Sequence, residues 1–277
     1  MLLQSAAESG NPAAEFGMYV YYRGKPNHEP VADEWLEKAA GQGNGNALCE
    51  MAIRCEGDGD AEQSKEYFRQ AAETGHDEAL FRYALLLEDW SDRQAPSNQE
   101  AFSRMKAAAD AGHSRALCYL GNYHSSGMGV EVDHQQAFEC YMKSAEKNDA
   151  IGIMRLGEYY GYNADPVKAF QCFQRAAELR EVKGLCHLGL CYISGLGCQQ
   201  NIEMGFRVLF MAAGSGEPAV MIMLQNAGLD VEKVSSGYRE SRKLEARMQP
   251  GHFNGAVFDR IFSKQFGSIP SIPPKSE

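Results

Sequence analysis

Small and large apolar residues alternate along this chain at helical spacing, in a pattern that comes round every 32 to 37 residues. Alignment on Ala7, Ala40, Ala72, Ala109, Ala145, Ala177 and Ala213 gives intervals of 33, 32, 37, 36, 32 and 36. Four residues before each alanine stands a large apolar side chain: Leu3, Leu36, Phe68, Met105, Tyr141, Phe173 and Leu209. Eight before, where the chain reaches that far, stand Ala32, Ser64, Ala101, Ala137, Ala169 and Gly205, all small. A small, large, small stripe at four-residue intervals predicts an α-helix, here termed helix B, whose gaps let a neighbour come close around one protruding side chain.

Seven residues after the anchoring alanine a second pattern begins, at Ala47, Ala79, Ala116, Gly152 and Gly184. It continues with Met51-Ala52, Tyr83-Ala84, Leu120-Gly121, Leu156-Gly157 and Leu188-Gly189, and predicts a helix A with small residues at both ends of its packing face. Neither helix can bury its stripe alone, so the pairs must stack on one another. Between helix A and helix B fall Gly127, Gly129, Gly195 and Gly197, where the chain reverses and glycine tolerates positive φ. Asp133, Asn201 and Asp165 are placed as helix N-caps, with Gln136 able to complete a capping box and Pro166 at a first helical position. These glycines are turn residues. A phosphate-binding loop would need a preceding strand and a following Lys-Ser/Thr, and neither is present.

The series A-x-x-x-L-G-x-x-Y, G-x-G-V-x-x-D, A-x-x-x-Y-x-x-x-A-A-x-x-G runs nearly whole from Ala116 to Asn148 and from Gly184 to Gly216. It resembles the Sel-one-like repeat (SLR), a relative of the tetratricopeptide repeat, over residues 3 to 225. His124 stands in place of the repeat's tyrosine and Asn148 in place of its terminal glycine, and two A-to-B connections, in residues 47 to 75 and 152 to 180, lack the G-x-G. In the first repeat Phe16-Gly17 sits slightly out of register. The resemblance implies an all-α fold: a right-handed α/α superhelical solenoid of about six helix pairs within residues 1–228. The expected repeats lie near 13–45, 46–78, 79–115, 116–151, 152–183 and 184–219. A seventh helix A is expected to start and decay over Val220 to Ala227. Residues 229–266 read as C-terminal capping helices, because Asp230 to Met248 form a polar helical run and Phe258, Phe262 and Phe266 an i, i+4, i+8 stripe. That stripe fits either a cap docked on the last repeat or a partner-binding helix. Residues 267–277, rich in Ser and Pro, read as a disordered tail.

Composition narrows the function. The 277 residues are 44% hydrophobic and 23% charged, enough for a sizeable core, and no apolar run reaches the about 18 residues of a membrane helix. The opening MLLQSAAESG does not read as a signal peptide, which points to the cytoplasm for the chain as it stands and to the periplasm or secretion if a leader has been removed. Net charge is -10, and because residues 231–277 carry 8 Lys/Arg against 5 Asp/Glu, the remainder stands at -13. Such a surface repels nucleic acid and would steer a basic partner toward itself.

Eight cysteines include no C-x-x-C, so neither a metal site nor a cofactor is expected. Cys49, Cys118 and Cys186 share one helix-A position with Phe81 and Met154, while Cys140 and Cys172 share a helix-B position with Trp35, Tyr67 and Val208. Cysteine there replaces apolar residues and reads as a small hydrophobe, Cys118 and Cys140 being the same-repeat pair to check for a bond. His76 and His113 share one inter-repeat turn and read as structural; the acidic EGDGDAE of Glu56 to Glu62 lacks the glycine and glutamate positions of a calcium loop.

What remains is surface. The resemblance implies that helix A lines the concave side, where partners bind, with Tyr160 and Tyr192 filling the gap between successive helices A. Tyr119, Tyr123, Arg155, Tyr159 and Tyr162, off the packing stripe, are the expected partner contacts, tyrosine and arginine being the residue types of interface hot spots. The function this supports is a non-enzymatic scaffold or adaptor that holds a protein or peptide, a basic effector among the candidates. Alternatives within the resemblance are an immunity or inhibitor protein neutralising a cognate toxin, and an enzyme or enzyme subunit with a site between repeats. Replacing Tyr123 and Tyr159 together by alanine is expected to weaken partner capture at unchanged stability. Gly121→Leu is expected to overpack adjoining helices and cost about 1–3 kcal/mol in a denaturation experiment; a neutral effect would place the register elsewhere.

Overall fold

A computed structural model of the chain describes residues 2–226 together with 230 and 232. Among these residues the regular elements are helices alone. Helix B recurs as α1 (Leu2–Glu8), α3 (Glu29–Gly41), α5 (Ala61–Glu73), α7 (Pro96–Asp110), α9 (His134–Glu146), α11 (Pro166–Glu178) and α13 (Ile202–Ala213). Helix A alternates with it as α2 (Pro12–Tyr22), α4 (Gly45–Asp58), α6 (Asp77–Leu87), α8 (Ser114–Ser126), α10 (Ala150–Tyr162), α12 (Val182–Ser194) and α14 (Pro218–Asn226). The fold divides between Lys143 and Ser144 into two compact units. Asp230 and Glu232 apart, the capping helices, the phenylalanine stripe and the tail of the sequence reading lie outside the described residues.

The stripe of helix B is the core. Leu36, Phe68, Met105 and Leu209 are fully buried, and Tyr141 and Phe173 nearly so. Tyr141, Phe173 and Leu209 each fill the gap left by a glycine on helix A. A Cβ on Gly121 would lie 2.5 Å from the Tyr141 ring, one on Gly157 2.7 Å from Phe173, and one on Gly189 2.7 Å from Leu209. Burial departs from the expected register at its small positions. Ala40 and Ala177 are only half-buried, whereas the residue before the anchoring alanine is sealed in six successive repeats: Ala39, Ala71, Ala108, Ser144, Ala176 and Ala212 are all 0% exposed. These residues face the start of the next helix A. A Cβ on Gly184 would lie 2.7 Å from that of Ala176, and one on Gly152 would overlap the Ser144 hydroxyl, which donates to Asp149 at 2.9 Å. Leu3, at the first helix B, is 44% exposed.

The connections converge although their lengths differ. The carbonyl eight residues after the start of the helix-A pattern accepts the backbone N–H of the helix-B cap: Cys55 from Asp60, His124 from Asp133, Tyr160 from Asp165 and Tyr192 from Asn201, at 2.8–2.9 Å. Asp133 then accepts from the N–H groups of Gln135 and Gln136, Asp165 from Lys168 and Asn201 from Met204, which satisfies otherwise orphaned donors. The longer loops contain the glycine pairs. Gly127 and Gly195 end α8 and α12 in the left-handed region, and each donates its N–H back into the helix. Gly129 and Gly197, at φ +65 and +71, also come so close to the first turn of the preceding helix B that a Cβ would overlap the carbonyls of Asn98 and Pro166.

Between α6 and α7 the loop is built differently. Asn98, fully buried, donates to the carbonyls of Asp89 and Asp92 at 2.7 and 2.8 Å and accepts from the Asp89 N–H at 2.8 Å. Entry into helix A is capped by Asn44 and Asp149, and by two histidines: Nδ1 of His76 and of His113 accepts from the N–H of Ala79 and Ala116.

Gly43 and Gly129 both have positive φ, but only Gly129 has backbone where a Cβ would go. Gly43→Ala is therefore expected to cost about 1 kcal/mol from the left-handed conformation alone, and Gly129→Ala at least about twice that by urea denaturation. Equal costs would mean that the second glycine of the pair serves conformation only.

Candidate partner-binding surface

Within each unit, successive helices A are laced side by side by polar contacts one repeat apart. Tyr19 donates to Glu50 at 2.6 Å, Arg82 to Glu56 at 2.9 Å and Tyr123 to Glu88 at 2.8 Å, while Glu158 meets His187 at 3.2 Å. In the first unit this face opens into a cleft of about 270 Å³. Phe68, Phe81, Leu85, Leu86 and Tyr119 supply its apolar wall, and Glu56, Glu78, Arg82 and Arg115 its charges.

The charges are mostly closed on one another. Arg82 donates through Nε to Glu78 at 2.6 Å and through Nη1 to Glu56 at 2.9 Å. His113 holds the other Glu78 oxygen at 2.9 Å; because its Nδ1 accepts from a backbone N–H, the ring proton sits on Nε2, which donates to Glu78. Burial pushes the Glu78 carboxyl up, but hydrogen bonds from Arg82 and His113 outweigh it and hold the group below the usual glutamate range. The Phe81 ring is the hub: His113 stacks on it at 4.4 Å, Tyr119 meets it edge-on at 5.2 Å, and the Arg115 guanidinium lies 5.7 Å from its centre.

The expected contact residues are divided between the two units. Tyr119 is half-buried in the cleft wall, and Tyr123 lies one turn further along α8. Tyr123 is 1% exposed, which corrects its reading as a contact: it packs in the core and spends its hydroxyl on Glu88. Burial and the Glu88 charge both push that phenol well above its usual range. Replacing Tyr123 by alanine would therefore cost stability, about 3–5 kcal/mol if it behaves as other large aromatics do, so the double replacement with Tyr159 cannot report binding alone. The second Glu88 oxygen accepts from Trp90 Nε1 at 3.0 Å, and this fixes an aromatic side chain that is 63% exposed. In the second unit Arg155 and Tyr159 are half-buried and Tyr162 is 92% exposed at the end of α10. Arg155 donates to Glu158 at 2.8 Å; His187, on the other Glu158 oxygen, stacks on Phe173 at 4.5 Å. Tyr160 and Tyr192 are half-buried, and Tyr192 meets Phe170 edge-on at 5.4 Å.

The sequence reading missed Arg82, Arg115, Glu56, Glu78, Leu86 and Trp90. Arg82 had a usable signal, since it holds the helix-A position of Tyr119 and Arg155. Trp90 had none, because its exposure depends on the irregular loop that Asn98 organises. The cysteines are free thiols, Cys118 and Cys140 included. Burial pushes Cys49 to about 11 and Cys186 to about 12, so both stay protonated at neutral pH and behave as apolar groups. No cluster of three or more metal-ligating side chains occurs among the described residues, and no helix there is long and apolar enough to cross a membrane. The acidic turn is structural: Asp60 caps α5 and Glu56 pairs with Arg82.

Five segments of the chain, residues 17–44, 46–76, 114–149, 150–180 and 182–216, match the Sel1 repeat family model and together make up more than half of its length. The segment between 76 and 114, which supplies α6, its loop and α7, is not matched. No curated protein sequence matches the chain. A protective antigen present in uropathogenic Escherichia coli strains, displaying an SLR fold, superposes with a TM-score of 0.69 at 23% identity, covering 95% of this chain and 63% of its own. This chain thus spans less than two thirds of that protein. A Sel1 repeat protein from Oxalobacter formigenes superposes with a TM-score of 0.64 at 25% identity, covering 73% of this chain and 85% of its own. The fold is that of the SLR α/α solenoids.

The Glu158 pair carries a pH signature. Burial pushes its carboxyl up, but His187 and Arg155 outweigh burial and hold it below the usual range. The stability it contributes is complete above the unfolded value, about 4.3, and is lost as pH falls through the lower folded value. Between pH 5 and pH 3 the melting temperature of Glu158→Gln is expected to fall less than that of the wild type; parallel falls would show that the pair is not felt in the folded state.

Proposed function

The chain belongs to the Sel1 repeat family, and from that premise we propose that it is a non-enzymatic binding protein that holds a partner polypeptide against side chains of helix A. The observation that carries this reading is the cleft of the first unit: aromatic and aliphatic walls, a charged rim and a volume of about 270 Å³. Small-molecule sites generally occupy about 300–1,000 Å³ and enclose their ligand, whereas this cleft suits one or two side chains of a docked segment. Arg115 apart, its acid and base groups are committed to each other through the Glu56, Arg82, Glu78 and His113 chain, which leaves shape, apolar surface and charge as what it offers. Tyr119 in the first unit and Arg155, Tyr159 and Tyr162 in the second are the contacts proposed, with Trp90 added as an exposed aromatic whose indole N–H donates to Glu88.

The test is capture from a lysate of the native host, the captured protein then being identified, purified and titrated against variants. Tyr119→Ser combined with Trp90→Ser is expected to weaken that complex at least about tenfold, as hot-spot losses do, with helical content and melting temperature close to wild type. Undiminished affinity in this variant, and in one carrying Tyr159→Ser with Tyr162→Ser, would remove helix A as the binding face.

A further inference from the structure

Two carboxylates and two guanidiniums line the cleft of the first unit, and three of these four groups are closed on one another. Arg82 is shared between Glu56 and Glu78, and the remaining Glu78 oxygen is taken by His113. Arg115 is exposed, lies 5.7 Å from the centre of the Phe81 ring and makes no ion pair with any described residue. Arg54, Arg69, Arg104, Arg155 and Arg207 sit on carboxylates as Arg82 does, whereas Arg93 and Arg175 donate to backbone carbonyls; Arg115 is the cleft-lining guanidinium with no carboxylate against it. The open charge therefore stands where an apolar wall ends, on a ring that holds the guanidinium by its π face. Most of that wall, together with Glu78 and Arg82, comes from α6, inside the segment that the family model does not match, while Arg115 and Tyr119 lie in a matched one.

We propose that the cleft binds a partner segment in which an apolar side chain stands next to an aspartate or glutamate, the apolar group lodged against Leu85, Leu86 and Tyr119 and the carboxylate paired with Arg115. This rests on the reading that helix A binds polypeptide, and it names the chemistry of what binds. The planar fork of arginine matches a carboxylate in two hydrogen bonds, which a basic or neutral residue at that place cannot supply. The acid excess of the chain repels a strongly acidic partner at long range, so the recognised acid is a local one, flanked by apolar residues and not part of an acidic run.

The probe is a phage-displayed library of random dodecapeptides, selected on the full chain and on Arg115→Glu, an exposed position whose replacement leaves the core untouched. Wild type is expected to enrich peptides with Leu, Ile or Phe beside Asp or Glu, and Arg115→Glu to enrich Lys or Arg at the acidic place. Two synthetic peptides of the selected sequence, differing only by Asp→Lys, are expected to differ at least about fivefold in affinity for wild type and to reverse order on Arg115→Glu. The same charge preference on both proteins overturns the proposal. If those peptides nevertheless lose binding to Tyr119→Ser, helix A still binds polypeptide and only the carboxylate assignment falls; if Tyr119→Ser binds them as wild type does, the reading of the face falls with it. A library that yields no enriched peptide on wild type also counts against the proposal.

Discussion

Helix A and helix B approach so closely at Gly121, Gly157 and Gly189 that a single methyl group would collide with Tyr141, Phe173 or Leu209 across the gap. Glycine inside a helix ordinarily costs about 1 kcal/mol relative to alanine, so its recurrence at one position of helix A marks a place where the gain from contact exceeds that cost. The gain is dispersion and buried apolar area around one knob per helix pair, repeated along each unit. At the other end of the same face, Ala39, Ala71, Ala108, Ser144, Ala176 and Ala212 are sealed for a related reason: they are small enough to let the next helix A start directly above them.

That spacing accounts for the polar architecture. Helices A that lie side by side bring Glu50, Glu78, Glu88 and Glu158 within hydrogen-bonding distance of Tyr19, His113, Tyr123 and His187. The carboxylates have partners, and for Glu78 and Glu158 those partners outweigh burial and hold the group below the usual glutamate range. Outside the lacing, Arg115 at the cleft, Trp90 and Tyr162 at the end of α10 are exposed, and with Tyr119 they are among the contacts proposed.

The helices, their pairing and the caps at Asp133, Asp165 and Asn201 were legible because each rests on local sequence: spacing within one helix, or a short side chain just before it. Tyr123 was misread because periodicity fixes the direction of a side chain only relative to its own helix, while its burial depends on Glu88, which comes from the preceding repeat. The same limit hid the cleft, whose charged chain joins residues from α4, α6 and the N-cap of α8. His76 and His113 read correctly as structural, but their role as caps needed the geometry of Nδ1 to be seen. Trp90 lies in a loop with no repeat signal, where one buried side chain, Asn98, sets the path.

The central claim is that contact across the glycine of helix A, and not helix propensity, sets the packing of each pair. A double-mutant cycle on Gly121→Ala and Tyr141→Leu measures this directly. By propensity alone Gly121→Ala would stabilise the protein by about 1 kcal/mol; the contact predicts that it destabilises, and that this cost shrinks by at least about 1 kcal/mol once Tyr141 is leucine. Stabilisation by Gly121→Ala, or effects that add within about 0.5 kcal/mol, would contradict the account.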